Sequence, residues 1–142
     1  MLSLITLAHA TLAARALDPT ELAQLSNDTA YGDVVEVRTE RTQGSLFTVA
    51  TVQRLDGNGT VDVWLPGGCE DGLCLTVAGS PRVTPGERVF VFLRNGSPTS
   101  LAQGLFRVHG GEATRDVRGL SFAAGPAPVP SFPIAVLEAL ER

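Results

Sequence analysis

Cys69 and Cys74, separated by Glu70-Asp71-Gly72-Leu73, are the only cysteines in the chain. Two thiols can bridge, ligate a metal or act as a redox couple. A thioredoxin-type redox centre needs C-x-x-C, which this spacing does not provide. A structural zinc site needs four ligands, and His9 and His109 are the only histidines. The expectation is therefore a disulfide across a β-hairpin, where facing non-hydrogen-bonded residues lie close enough to bridge. The alternative is a pair of free thiols in a reducing cytosol. A bridge closing so short a loop contributes about 2 kcal/mol of chain entropy, so it shapes the loop more than it stabilises the domain.

The other chemistry-bearing residues point away from catalysis. Glu70 and Asp71 are adjacent acids that could meet a cation or a basic partner; as solvated turn residues they need no further purpose. Carboxylate-pair catalysis needs two groups facing each other across a cleft, which sequence neighbours on one turn do not provide. His109 borders Gly110-Gly111, no G-x-S-x-G elbow occurs, and no Cys–His pairing can be placed. The expectation is a non-enzyme with no catalytic residues, no metal and no cofactor. Trp64 is the single side chain best suited to recognition, either exposed as an anchor or packed under a loop or end helix.

Composition bounds the class. The chain has 142 residues, 44% hydrophobic and 18% charged, which suits one globular domain. Its formal charge is −4 and all eleven basic residues are arginine, so the electrostatic footprint of a nucleic-acid binder is missing. Residues 1–16 read as a secretory signal peptide, truncated because its positive n-region is missing, with Ala8-His9-Ala10 or Ala14-Arg15-Ala16 as the cleavage site; the alternative is an ordinary helix start. The apolar run falls far short of the ~20 residues of a bilayer span. Together with the cysteine pair this predicts a secreted or periplasmic protein.

These residues need a scaffold, and the patterning predicts one built from strands. Asp18, Pro19 and Glu21 form a capping box with proline at the first helical position, flanked by Leu17 and Leu22. From Asp33 the apolar period becomes two. Val61, Val63 and Leu65 face inward with Trp64 opposite, and Arg88–Arg94 is apolar on both faces, as a central strand should be. Asn58-Gly59, Asn95-Gly96 and Gly110-Gly111 mark turns between strands. Residues 101–108 and 112–117 read as a final strand pair. Residues 17–122 thus form the β domain, 123–133 a Pro/Ala-rich linker, and 134–142 a short helix.

The run GDVVEVRTERT, a long Thr/Val strand, Pro66-Gly67-Gly68, Asp71-Gly72, Gly79-Ser80-Pro81, Pro85-Gly86-Glu87 and Gln103-Gly104 resemble a group of uncharacterised secreted bacterial proteins. The order of helix, strands and turns also resembles netrin-like modules and the tissue inhibitors of metalloproteinases, which have an OB-type barrel. The patterning of six or more strands with a short helix at each end suits a small barrel or sandwich. The resemblance implies the former, a small antiparallel OB-like barrel of about six strands acting as an extracellular protein-binding module. Those inhibitors chelate the target zinc through an N-terminal cysteine, and no cysteine precedes Cys69 here. The expected surface is the stapled loop with its neighbour: Trp64, Gly67, Gly68, Glu70 and Asp71. Its expected partner is an extracellular protein or envelope component. The alternatives are an envelope structural or glycan- and small-ligand-binding protein, or a metalloprotease inhibitor working without N-terminal chelation.

Overall fold

The computed structural model describes residues 15–118, 120 and 128–142. The expected signal segment lies outside them except for Arg15 and Ala16, as does the first part of the expected linker.

The first element is the helix α1 (Pro19–Leu25), capped as its sequence requires: the Asp18 side chain accepts from the Glu21 N–H at 2.9 Å, and Glu21 accepts from the Asp18 N–H. Leu17 and Leu22, on either side of the cap, are both buried. Ser26 ends the helix, and extended structure starts earlier than expected, at Asp28. The strand β1 (Asp28–Thr42) is long because it has two partners in succession. Asp28–Asp33 pairs with β6 (Arg88–Arg94), whereas Gly32–Thr42 pairs with β2 (Ser45–Arg54), all antiparallel. A register shift between Val34 and Glu36 bends it further.

The remaining strands are β3 (Thr60–Pro66), β4 (Gly68–Glu70), β5 (Leu73–Leu75), β7 (Ser97–Pro98), β8 (Leu105–His109), β9 (Glu112–Thr114) and β10 (Ser131–Pro133). The helix α2 (Ile134–Glu138) follows, shorter than the expected 134–142. Residues 101–104 are a 3-10 turn rather than the start of a strand, with Ser100 and Leu101 at positive φ. Gly104 permits that turn: a Cβ there would stand 2.3 Å from the Thr99 carbonyl oxygen. Ser131–Pro133, the end of the Pro/Ala-rich stretch, pairs with β9.

The expected closed barrel of about six strands is corrected by the topology. Among the described residues the ten strands form one open sheet in the order β10-β9-β8-β6-β1-β2-β3, with β7 on β6, and a separate β4-β5 hairpin. The sheet rolls until β3 approaches the β6–β7 turn, where the Trp64 N–H donates to the Gly96 carbonyl at 2.9 Å. No ladder continues from β3 among the described residues. The gap is instead bridged by residues 76–87, whose Pro81 and Pro85 lack the N–H a ladder needs. Val83 is buried among the sheet's inner residues, and the Gly86 N–H and Glu87 carbonyl bond the main chain of Val34 at the bulge.

β6 carries the two-sided core that its apolar run predicts. Val89, Val91 and Leu93 pack inside the roll with Val52, Val63, Leu65 and Leu105. Phe90 and Phe92 pack on the other face with Leu22, Phe106 and Leu137, so both helices cover the aromatic side. The C-terminal segment is docked, since the Arg142 N–H donates to Thr29 Oγ1 at 2.9 Å and its guanidinium to the Ala23 carbonyl. Arg115 is buried and has no carboxylate partner among the described residues. Its Nε and Nη2 donate to the Val129 carbonyl at 3.0 and 2.9 Å and its Nη1 to the Gln103 carbonyl at 3.0 Å, while Phe106 and Phe132 flank the charge. Burial lowers its pKa to about 10, opposed by Asp18, so it remains cationic at neutral pH. Gln103 in turn accepts from the Leu17 N–H and donates to the Arg15 carbonyl.

Candidate functional site

The β4-β5 hairpin is closed by Asp71 and Gly72, both at positive φ, the type I′ geometry that a two-residue turn prefers. That register places Cys69 opposite Cys74, and the two are joined as a disulfide with both residues exposed. Asp71 thus serves the turn itself. Glu70 is committed as well: Arg41, from the end of β1, donates to its carboxylate through Nε at 2.9 Å and also through Nη2. The tip is therefore held by the bridge behind it and by Glu70 on its β4 side. Gly67 anchors the base, with its N–H on the Leu46 carbonyl and its own carbonyl accepting from Thr48 Oγ1. At φ 96° with the Leu75 carbonyl 2.7 Å from where a Cβ would stand, position 67 admits only glycine without rearrangement.

A groove of about 310 Å³ opens beside this hairpin, where the sheet fails to close. Leu65, Val77 and Val83 supply apolar walls, Cys69, Cys74 and Leu75 the hairpin side, and Ser80 to Thr84 the opposite rim. That rim is braced. Thr84 donates its N–H to Glu87 Oε1 at 2.7 Å, Arg107 Nε donates to Glu87 Oε2 at 2.9 Å, and Arg107 also bonds the Arg82 carbonyl. Burial raises the Glu87 pKa, but the Thr84 N–H and Arg107 outweigh it and leave the carboxyl below its usual range. Ser80 Oγ closes the end of the rim on the Pro66 carbonyl.

Trp64 is not part of this groove. It faces away from Leu65, stacked edge-on against Phe47 at 5.7 Å, with the Asn95-Gly96 turn alongside, and it is half-buried over Val49. Next to it on the outer face, Asp62 is held below the usual carboxylate range by the Thr51 hydroxyl and then by Arg38. Of the five expected recognition residues, the structure gathers Gly67, Gly68, Glu70 and Asp71 at the hairpin and leaves Trp64 elsewhere. The sequence reading placed the surface on the Gly67–Leu75 loop without singling out Leu73 or Leu75, and did not include Val83 or Arg82. The two leucines carry a legible signal, alternating apolar residues beyond a turn in a strand too short to have a covered face. Arg82 carries none, being one arginine among eleven.

His109 is exposed at the end of β8. Among the described residues no group of three or more His, Cys, Asp and Glu side chains converges as a metal site, and no helix is long and apolar enough to cross a membrane. No protein-family model matches the chain, and neither a curated protein nor a solved structure shows significant similarity to it.

Proposed function

We propose that this chain is an exported, non-catalytic binding module that engages a partner protein through the disulfide-stapled hairpin and the groove beside it. The observation that carries the reading is Leu73, which is 76% exposed next to the two-residue tip, with Leu75 exposed on the same side of the strand. A hairpin this short is marginal in water, and exposing two leucines on it gains nothing for folding. Fixing it with a crosslink and the Arg41–Glu70 pair holds the leucines in one arrangement, which reduces the ordering cost of binding. The disulfide also favours an oxidising compartment, secreted or periplasmic. The partner is then an extracellular protein or an envelope component, as expected for a netrin-like module.

A small ligand in the groove is the second reading. Its volume sits at the lower end of ligand sites, and among the described residues its aliphatic and hydroxyl walls offer no aromatic ring on which a sugar could stack. This favours polypeptide over glycan.

Leu73→Asp and Leu75→Asp should each abolish retention of a partner from envelope and culture-supernatant fractions while leaving the unfolding midpoint near wild type. Val35→Asp, at a 54% exposed apolar position on the β1 bulge, should retain it. Equal retention by all three variants would refute the hairpin as the binding surface.

A further inference from the structure

Within that binding reading, the groove itself points to the chemistry of the partner segment. Because the Asp71-Gly72 turn closes on the Glu70–Leu73 pair, the alternation of an antiparallel ladder turns the Cys74 N–H and C=O away from β4. No described main-chain group takes them up, and Cys74, Leu75 and Thr76 are all exposed. The outer edge of β5 is thus an open edge bordering an apolar groove, the arrangement to which an extended peptide adds as a further strand.

The charge beside it is specific. Arg82 is the only charged residue lining the groove, and it also lines a second hollow of about 290 Å³ on the far side of the Ser80-Pro81 ridge. The charged neighbours in that hollow are already neutralised, Arg107 by Glu87 and Asp116 by Arg118. Seven of the eleven arginines make ion pairs. Arg82 makes none among the described residues, and the residues outside them contain no Asp or Glu that could supply one. Its guanidinium stands exposed on the rim, while its carbonyl is held by Arg107.

We propose that the groove takes an extended peptide segment that pairs with the β5 edge and places a carboxylate on Arg82. Apolar side chains of the segment rest against Leu65, Val77 and Val83. The hydrogen-bonded edge sets the register, and the arginine selects an anionic segment.

The test is a ¹⁵N NMR titration with three acetylated Thr-Val-Thr-Val peptides: one ending in a free carboxylate, one as the C-terminal amide, and one as the amide with a terminal aspartate added. The proposal expects the Cys74 and Thr76 amides to shift, with at least one acidic form binding about fivefold tighter than the neutral amide, the worth of one partly exposed ion pair. Whichever acidic form wins identifies a chain terminus or an acidic side chain as the source of the carboxylate. Arg82→Gln, which keeps the carbonyl that Arg107 holds, should erase that preference without weakening the neutral form. Equal binding of all three peptides to the wild type overturns the role of Arg82. No shift at Cys74 or Thr76 with any of them at millimolar concentration overturns strand addition, while the Leu73 and Leu75 variants still decide whether the hairpin binds protein.

Discussion

Arg115→Ala should destabilise the domain by roughly 3–5 kcal/mol, read as a lowered urea midpoint. The side chain fills the space between Phe106 and Phe132, and its removal leaves the Val129 and Gln103 carbonyls without the donors they hold now. The Gln103 acceptor is buried and costs about 1–3 kcal/mol when left unpaired, and the vacated volume between the two rings adds to that. Arg115→Lys should recover only part of the loss, because a single ammonium cannot span carbonyls on two segments as the planar fork does. The loss should appear first as faster exchange in residues 128–142, since Arg115 ties Val129 to the body of the domain. A midpoint within experimental error of wild type would show that the buried cation is not the fastener of the C-terminal segment.

Gly32→Ala is the second large effect. Gly32 lies where β1 is paired on both sides, opposite Arg54 on β2 and Val89 on β6. A Cβ there would stand 1.9 Å from the Gln53 carbonyl oxygen, and that atom is main chain, so the β1–β2 ladder must part to admit a methyl group. The close approach is what lets one strand leave β6 and roll with β2, bringing Val63 and Leu65 over Val89 and Val91. The expected cost is about 3 kcal/mol, at the upper end of overpacking. Wild-type stability of the alanine variant in a denaturant melt would mean that the roll does not depend on that approach.

Much of the scaffold was legible because local chemistry and tertiary packing agree there. The Asp18–Glu21 box, the two-sided Arg88–Arg94 strand and the inward set Val61, Val63 and Leu65 all sit as their patterns require. The turn at Gln43-Gly44, with both residues at positive φ, was not picked out because glutamine rarely signals that conformation. The barrel was misjudged for a different reason: strand count and alternation carry no information on whether the last pair of edges meets. That is decided by how the 76–87 segment, with its two prolines, occupies the gap. The hairpin and its bridge were readable from Cys69, Asp71-Gly72 and Cys74 alone. The groove was not, since Leu65 comes from β3 and Val77, Arg82 and Val83 from the 76–87 segment, and the two meet only through the roll. Trp64 was the natural candidate for an anchor, but its partner Phe47 lies on another strand, and nothing local reveals the pairing.

Stability resides in the two-sided core, and the proposed recognition surface is a bridged hairpin outside it. Hydrogen exchange of the Cys69→Ser/Cys74→Ser double variant against the wild type tests that division most directly. Faster deuterium uptake confined to residues 68–75, with β6 protected as before, is the predicted result. Uptake rising together in the hairpin and in β6 would contradict it, because the bridge would then belong to the same cooperative unit as the core.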